Sequence, residues 1–526
     1  MVGGLTIQLN SLTRMLRSAV MTEVPSPPSF VPPDPVERPE LFFAFIGPTG
    51  TNLERVAQAL RAELQIVGYE HKDIQLSDLL TGLKPHEDLA NLKGKPENER
   101  ITAFMDAGDA VRKALGHGGA LAALAVAEIR RLREGDVARP ATAYLLRSLK
   151  HPKEVDLLRG VYGASLIVIS VFEPEEARSH HLEVRIQRTG GPREHASEIA
   201  RSLIGRDQGG GSDHEYGQNV RKAFPLADYF VDATRDLRKE VERLVHLFFA
   251  NPEESPTRDE YAMFSAHAAA LRSADMSRQV GATIVDREGE IVAAGCNEVP
   301  RPGGGIYWTG DATDGRDFKR GLDSNALMGH DILHEIFVRL KDVGWLAAEP
   351  ATRDLRALVE DARKRDLFGD ARVGNLIEFG RVVHAEMNAI LAAARKGTAV
   401  VGQSLYCTTF PCHGCARHII GAGIAEVVYI EPYPKSLAVE LYPEAITFET
   451  AKKTRKVKFR PFTGVAPRRY QEFFGFGRRK DARGFAMTWD SASAKPRARQ
   501  LGNPHLLAER DLLDRLEAAL KARTWI

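Results

Sequence analysis

The sequence predicts an α/β protein with two folded units, and three observations support this fold class. An apolar run at 41–46 leads into Gly47-Pro-Thr-Gly-Thr51 and then a helical pattern, which is the order strand, glycine turn, helix. A second apolar run at 165–172 predicts another buried strand. Beyond residue 255, a helix, a strand hairpin and then alternating helices and strands indicate a second α/β unit.

The composition is that of a soluble globular protein. The chain has 526 residues, 43% of them hydrophobic and 27% charged, which suits two or three domains with sizeable cores. Its 72 basic and 70 acidic side chains give a net charge of +2, so the composition does not indicate a protein that wraps polyanions. Four cysteines exclude a disulfide scaffold, and we find neither an apolar run of about 20 residues nor a secretory signal. We therefore expect a cytoplasmic protein that does not enter a membrane.

Four regions are expected along the chain. Seven prolines between residues 24 and 39 predict an extended, flexible segment at 1–39, because proline lacks an amide donor and fixes φ. The next regions are a nucleotide-binding unit at 40–250, a second unit at 251–470 with an insertion at about 300–380, and a basic extension with a terminal helix at 471–526.

The second unit contains a candidate metal site. His384, Cys412 and Cys415 supply one imidazole and two thiolates, which suit Zn²⁺ in a tetrahedral site with one position left open. Two residues separate Cys412 from Cys415, which follow Pro411, so both cysteines can face the same ion from the start of one helix. A helix N-terminus also favours the negative charge of their thiolates. Glu386, two residues after the histidine, is expected beside the metal as the catalytic acid and base.

Two other interpretations of these residues stay open. A structural zinc site would need a fourth protein ligand, which His413 could supply, and reduced core cysteines would need no metal. We favour catalysis because H-x-E followed by P-C-x-x-C is the general signature of zinc deaminases. Zinc in such a site lowers the pKa of water towards neutrality, and Glu386 moves protons to the ring nitrogen and to the departing ammonia. The electrophile is C4 of cytosine or C6 of adenine.

The second unit resembles deoxycytidylate-type deaminases over about 255–434. The motifs that carry the resemblance are SRQVGATIV at 277–285, AGCNEVP at 294–300, HAEMNAI at 384–390 and PCHGCA at 411–416. The resemblance implies a three-layer α/β/α cytidine-deaminase-like fold, and it implies that Asn297 contacts the substrate. The residues after Glu386 are more similar to free-nucleotide deaminases than to tRNA adenosine deaminases. The insertion departs from the family pattern, so the family's phosphate-binding and allosteric contacts are not carried over.

The first unit carries a second resemblance. Gly47, Gly50 and Thr51 stand in the strand–turn–helix setting of a phosphate loop, whose amides bind anions at a helix N-terminus. Asn52 and Leu53 take the places of the Gly-Lys pair of a working Walker motif, so the loop lacks its lysine. The distal segments that resemble nucleoside monophosphate kinase-like domains are YGQN at 216–219, FPLAD at 224–228, and Arg185 with Arg188. The alternative is a tight strand-to-helix turn with no ligand.

Together, the two units resemble bacterial anti-phage dCTP/dCMP deaminases, in which a degenerate P-loop kinase-like domain precedes the deaminase domain. This resemblance implies zinc-dependent hydrolytic deamination of free dCTP or dCMP to the uracil nucleotide, which depletes the deoxycytidine nucleotide pool. It also implies a homo-oligomer that an inhibitory RNA or a protein antitoxin holds inactive. One rival hypothesis is a nucleic-acid editing deaminase, favoured by six cations at 452–460, and another is a nucleotide sensor that has lost its activity. The sequence leaves the choice between mono- and triphosphate open.

Two smaller groups also have a predicted role. His330 and His334 lie four residues apart on a predicted helix and could hold a second metal, although helix-surface histidines are commoner than ligands. Cys296 and Cys407 end or lie within predicted strands, and we expect them to be reduced core residues.

Overall fold

Two six-stranded sheets organise the described part of the chain, and this confirms the α/β fold class. The structure is a computed structural model, and it describes residues 35–133, 136–210, 215–365, 367–368, 373, 378–433, 436–449, 454–498 and 502–526. Most of the predicted flexible segment at 1–39 therefore lies outside the described residues. Among the described helices, none has both the length and the apolar composition needed to cross a membrane.

The strands divide between the two sheets. In chain order they are β1 (Leu41–Ile46), β2 (Glu70–Gln75), β3 (Thr142–Leu149), β4 (Leu166–Phe172), β5 (Tyr229–Asp232), β6 (Gly281–Val285), β7 (Ile291–Cys296), β8 (Ser404–Thr409), β9 (Glu426–Glu431), β10 (Ile446–Thr447), β11 (Val457–Pro461) and β12 (Gly464–Val465). The first sheet has the order β12-β5-β4-β1-β3-β2 and is parallel except for β12. The second has the order β10-β11-β9-β8-β6-β7, with β6 antiparallel to both neighbours.

Helices connect and cover these strands. In chain order they are α1 (Leu53–Ile66), α2 (Glu97–Leu115), α3 (Ala120–Arg133), α4 (Pro152–Tyr162), α5 (Glu175–Arg188), α6 (Ala196–Gly205), α7 (Val220–Ala223), α8 (Leu237–Phe248), α9 (Arg258–Ala270), α10 (Asp317–Arg320), α11 (Ser324–Asp342), α12 (Ala348–Thr352), α13 (Leu355–Lys364), α14 (Ala385–Arg395), α15 (His413–Gly421), α16 (Ala438–Leu441), α17 (Tyr470–Phe474) and α18 (His505–Ala522).

Strand β1 lies between β3 and β4, and helices cover it on both faces. Phe42 and Ile46 point into a cluster with α3 and α4, whereas Phe43 and Phe45 point to the opposite face and contact α1 and α8. This explains why the strand is apolar at every position rather than at alternate ones. Because β1 to β4 run parallel, their carboxyl ends meet at one edge of the sheet, where the glycine turn also lies.

The second sheet lies between two layers of helices. On one face, Met263 and Ala266 of α9 belong to a core with Val285 and Tyr406. On the other face, α14 and α15 form a separate core with Ile284 and neighbouring strand residues. The predicted hairpin of the second unit is present as β6 and β7. The predicted insertion contains α10 to α13.

The last part of the chain packs on the first unit. Strand β12 pairs with β5, and α18 contacts α3 and α4. Arg133 is buried between Glu40 and Glu509, with N···O distances of 2.9 and 2.6 Å. The described residues of the predicted extension at 471–526 therefore include a helix that packs on the first unit.

Candidate active site and metal centre

His384, Cys412 and Cys415 converge at the N-termini of two helices. His384 is the N-cap of α14, and Cys412 is the N-cap of α15, where its sulfur accepts a hydrogen bond from the Cys415 amide at 3.4 Å. The Nδ1 atom of His384 lies 3.3 Å from the Cys412 sulfur and 3.4 Å from the Cys415 sulfur. All three donor atoms lie within 4.8 Å of one another. The structure therefore brings together the three ligands that the spacing predicts.

This donor set fits a zinc ion. With Zn–N near 2.0 Å and Zn–S near 2.3 Å, a nitrogen and a sulfur ligand in a tetrahedral site are about 3.5 Å apart. The distances from His384 to the two sulfurs are close to this separation. Within the part of the chain that the structure describes, this is the one cluster of three or more His, Cys, Asp or Glu side chains with metal-binding geometry. His330 and His334, for which the sequence favours a helix-surface role over a second metal site, are not among the clusters found in the described residues.

Glu386 lies in the first turn of α14 and is almost completely buried, although it lines the same cavity as His384. Burial raises the pKa of its carboxyl group, and the negative charge of Cys412 adds to this effect. A hydrogen bond with the Cys415 side chain holds the pKa of Cys412 well below its ordinary value. A carboxyl group with a raised pKa beside a candidate metal site is suited to accept and release protons.

Asn297 lies in the cavity wall, but the backbone already engages its side chain. Its Oδ1 accepts a hydrogen bond from the Val280 amide at 2.7 Å, and its Nδ2 donates to the Arg278 carbonyl at 2.8 Å. An amide group has a second lone pair and a second N–H, so one position on each atom stays available for a ligand. Asn388, which the sequence analysis did not single out, donates to the Cys296 carbonyl at 2.9 Å and so ties α14 to β7.

The cavity has a volume of about 330 Å³, and the insertion supplies part of its wall. Asp317 and Asp323 line it from the insertion, together with Arg381 just before the histidine ligand. Arg381 forms an ion pair with Asp317 and also donates to the Gly315 carbonyl at 3.1 Å. The sequence analysis missed these residues, because no motif relates the insertion to the catalytic helix.

Arg278 and Tyr433 form another part of the cavity wall. The Arg278 guanidinium lies 5.2 Å from the centre of the Tyr433 ring, and its nitrogen is 3.3 Å from a Glu431 carboxylate oxygen. Arg278 and Arg381 thus bring two guanidinium groups to the cavity wall, each already paired with a carboxylate.

The glycine turn of the first unit binds carboxylates of the protein itself. The Thr49 amide donates to Oδ2 of buried Asp207 at 2.6 Å, and the Asn52 amide donates to Glu173 at 3.2 Å. Gly50 has a φ of 95°, which is a conformation that glycine adopts without strain. Of the predicted phosphate-binding residues, Gly47, Gly50 and Thr51 all line a separate cavity at this edge of the sheet.

A lysine from elsewhere in the chain reaches this turn. Lys150, just after β3, places its Nζ 2.9 Å from the Gly47 carbonyl oxygen and 3.0 Å from Asp207 Oδ1. The sequence analysis found no lysine because it considered only the Walker position after the second glycine. The turn's own sequence motif lacks a lysine, but the fold brings Lys150 next to the turn from a distant position in the chain.

Cys296 and Cys407 are buried free thiols, as expected of core residues. Burial raises the pKa of Cys296 to about 11, so its thiol stays protonated at neutral pH. The pKa of Cys407 is raised well above its ordinary value for the same reason.

Residues 256–431 match the family model described as the cytidine and deoxycytidylate deaminase zinc-binding region. The chain is 48% identical to the deoxycytidylate deaminase of Enterobacteria phage T2 over 54 residues, which are 10% of this chain and 29% of that protein. It is 31% identical to a probable deoxycytidylate deaminase of Drosophila melanogaster over 172 residues, which are 33% of this chain and 58% of that protein. The chain thus spans less than two thirds of the length of these relatives.

A crystal structure of the dCMP deaminase from cyanophage S-TIM5 is also similar. It is 19% identical, with 40% of this chain and 99% of that chain covered, and the TM-score is 0.21, too low to support an argument. The matched family region includes His384, Glu386, Cys412 and Cys415 and leaves the first unit outside it. The comparisons therefore support a deaminase zinc-binding region in the second unit of this chain.

Proposed function

We propose that the protein is a zinc-dependent hydrolase that deaminates free deoxycytidine nucleotides, dCTP or dCMP, to deoxyuridine nucleotides. The observation that carries this proposal is the convergence of His384, Cys412 and Cys415 with the buried acid Glu386 along one cavity. The similarity of residues 256–431 to deoxycytidylate deaminases supports the choice of a pyrimidine nucleotide.

The chain's own residues account for proton transfer and positioning. His384, Cys412 and Cys415 would hold a zinc ion, which would supply an activated water when bound. Glu386 would take a proton from the attacking water and deliver it to the ring nitrogen as the C4–O bond forms. It would then take the second proton from the new hydroxyl group on C4 and deliver it to the amino group, which leaves as ammonia when the C4–N bond breaks. Arg278 and Arg381 line the cavity and could contact the substrate phosphates if these replaced part of their pairing with Glu431 and Asp317. Asn297 has free hydrogen-bonding positions for the sugar or the base.

A free nucleotide is favoured over a nucleic-acid strand because the basic stretch is partly used within the fold. Strand β11 includes part of this stretch, and the Arg460 guanidinium pairs with Asp259 at 2.8 Å and with Glu426 at 2.9 Å. Lys456 donates to the Pro443 carbonyl at 2.7 Å. Residues 450–453 lie outside the described residues. These contacts leave fewer cations for a phosphate backbone than the sequence suggests.

The deciding experiment is a substrate comparison. Purified zinc-loaded protein is incubated with dCTP, dCMP, CTP, deoxycytidine and single-stranded DNA, and uracil products and ammonia are measured. We expect product from dCTP or dCMP and none from DNA. Uracil formed only in DNA would support the editing hypothesis instead, and no product from any substrate would support the nucleotide-sensor hypothesis.

Substitutions separate metal binding from proton transfer. Glu386→Gln should retain zinc while turnover falls by at least about 10²-fold, because the proton-transfer group is lost but the ligands remain. Cys412→Ser should lose zinc and activity together, because two protein ligands hold zinc poorly. Cys296→Ala is the matched control, a buried thiol away from the ligands that should keep both zinc and turnover. Loss of zinc in Glu386→Gln would place that carboxylate among the ligands and contradict its assigned role.

The wider role follows from the resemblance of the two units. We propose that deamination depletes the deoxycytidine nucleotide pool during phage infection, that the protein is a homo-oligomer, and that an inhibitory RNA or protein antitoxin restrains it. We propose for the first unit a regulatory role without phosphoryl transfer, with Gly47, Gly50 and Thr51 in its ligand site. Incubation with nucleoside monophosphates, ATP and Mg²⁺ should give no phosphorylated product. Phosphoryl transfer in that assay would make the chain a bifunctional enzyme.

A further inference from the structure

The deaminase cavity has an acidic wall, to which the insertion contributes. Asp317 and Asp323 of the insertion line this cavity, and Asp275 adds a third carboxylate to the wall. The two arginines of the same wall, Arg278 and Arg381, each pair with a carboxylate. The wall therefore has no surplus of positive charge for a substrate that carries phosphate. An acidic group in this wall is suited to a part of the substrate other than the phosphate.

Asp323 keeps one carboxylate oxygen for a ligand. Its Oδ1 accepts hydrogen bonds from the Asn325 amide at 2.8 Å and from the Ala326 amide at 3.3 Å, and these bonds cap α11. No described residue donates a hydrogen bond to its Oδ2, and no described cation pairs with it. The residue is half-buried in the cavity wall. A carboxylate oxygen in this state accepts a hydrogen bond from a donor and repels an anion.

Two contacts hold Asp323 in place relative to the catalytic helix. Before it in the chain, Asp317 forms an ion pair with Arg381. After it, the Oδ1 atom of Asn325 accepts a hydrogen bond from the Phe379 amide at 3.3 Å. Both partners come just before the N-cap residue of α14. The insertion is therefore tied to the start of the catalytic helix on either side of Asp323, which fixes the carboxylate in the cavity wall.

A deoxycytidine nucleotide has few hydrogen-bond donors to offer this carboxylate. In the proposed reaction, its amino group and its ring nitrogen are both engaged in proton transfer with Glu386. Its phosphates are anions, which accept hydrogen bonds and do not donate them. The remaining donor is the 3′-hydroxyl group of the sugar. In a nucleic-acid strand, a phosphodiester takes the place of this hydroxyl, so the donor is lost and a negative charge is added.

We propose that Asp323 determines substrate specificity by accepting a hydrogen bond from the 3′-hydroxyl group of the nucleotide. The insertion thereby admits free deoxynucleotides and rejects nucleic-acid strands. This inference rests on the proposed function, because it takes a deoxycytidine nucleotide as the substrate. A hydrogen bond to a charged acceptor is stronger than one between neutral groups, whereas a phosphate at the same position would face an unneutralised carboxylate. Specificity thus comes both from a favourable contact and from repulsion of the alternative substrate.

The test compares kcat/KM of the full zinc-loaded chain for three nucleotides that differ at the 3′ position. The first is dCMP, the second is the dideoxy analogue of dCMP, which lacks the hydroxyl, and the third is deoxycytidine 3′,5′-bisphosphate. The corresponding triphosphates are used if dCTP is the faster substrate. The parent protein should prefer the nucleotide with a free hydroxyl over each of the others by about 10-fold or more, because a hydrogen bond to a charged group is lost in both.

Substitutions separate the substrate contact from the capping of α11. Asp323→Ser keeps a good N-cap but shortens the side chain, so the preference for dCMP over the dideoxy analogue should fall to within about 2-fold. Asp323→Asn keeps the cap and the shape and removes the charge, so discrimination against the bisphosphate should fall by about 10-fold. Asp354→Ser is the matched control, because Asp354 caps α13 of the insertion through the Arg356 amide at 2.9 Å and does not line the cavity. Zinc content and thermal unfolding confirm that each variant is folded.

The outcomes distinguish this inference from the proposed function. Equal kcat/KM of the parent for dCMP and its dideoxy analogue would overturn the hydroxyl contact, while uracil formed from both would leave the proposed function intact. An equal loss of preference in Asp323→Ser and Asp354→Ser would also overturn the contact, because loss of a helix cap would then explain the effect. Absence of a uracil product from every free cytosine nucleotide would contradict the proposed function, and this inference with it.

Discussion

Replacing Gly295 by alanine should move the catalytic helix, because β7 and α14 approach most closely at this glycine. A Cβ atom at position 295 would lie 2.5 Å from the Ala389 amide nitrogen and 2.6 Å from the Ala385 carbonyl oxygen. Both neighbours are helix backbone, which cannot rotate away as a side chain would. Ordinary contact begins at 3.4 Å, so α14 must retreat by about 0.9 Å.

The size of the effect follows from what α14 carries. His384 caps this helix and Glu386 lies in its first turn, so the shift displaces the proposed metal ligand and the proposed proton-transfer group together. A misplacement of about 1 Å in an active site can cost about 10²-fold in rate, and overpacking of a core typically costs about 1–3 kcal/mol of stability. We therefore expect Gly295→Ala to lower turnover by about 10²-fold and to reduce the free energy of unfolding by about 2 kcal/mol.

The assay compares deaminase turnover, zinc content and urea unfolding of Gly295→Ala with those of Gly421→Ala. Gly421 ends the helix that carries Cys415, and an added Cβ there has no neighbour within 4 Å. Gly421→Ala should therefore match the parent or be slightly more stable, since alanine restricts the unfolded chain. If Gly295→Ala retains parental turnover and the parental unfolding midpoint, the inferred close packing of α14 on β7 is wrong.

Two further substitutions test buried charges of the first unit. Burial raises the pKa of the Glu240 carboxyl group to about 7, whereas the same group in the unfolded chain releases its proton near pH 4.5. The free energy of unfolding is therefore highest below pH 4.5. It falls by as much as about 3 kcal/mol as the pH rises through 7. Glu240→Gln should remove this fall. In urea unfolding, the free energy of unfolding should change little at pH 5 and increase at pH 7.5. Parallel pH profiles for parent and variant would contradict the raised pKa of Glu240. Glu509→Ala leaves the buried Arg133 side chain paired with Glu40 alone. The free energy of unfolding should fall by about 3 kcal/mol in the same assay. A decrease below about 1 kcal/mol would show that the Arg133–Glu509 pair contributes little.

The candidate metal centre could be located from the sequence because the spacing of its residues is local. The ligands Cys412 and Cys415 are three residues apart, and the histidine and Glu386 are two residues apart, so spacing alone places each pair at the start of one helix. The buried strand β1 could also be predicted from the sequence. Its continuous apolar run is typical of a strand in a sheet that helices cover on both faces.

The missed features depend on contacts between distant parts of the chain. Lys150 reaches the Gly47 carbonyl across 103 residues, and Asp207 reaches the Thr49 amide across 158 residues. Neither residue belongs to a motif, and their roles arise only when the carboxyl ends of parallel strands meet at one edge. Asp317 and Arg381 came together in the same way, because the insertion returns to the mouth of the active-site cavity.

The buried pairing of Arg133 with Glu509 has a consequence for synthesis of the chain on the ribosome. The two residues are separated by 376 positions. At a synthesis rate of about 5–20 residues per second, Glu509 is therefore made about 20–75 s after Arg133. During this interval the surface of α3 and α4 that α18 covers stays exposed, and β5 lacks its β12 neighbour. The first unit is thus made early, but its packing is completed only when α18 has been synthesised. Until then, chaperones can bind the surface that α18 later covers.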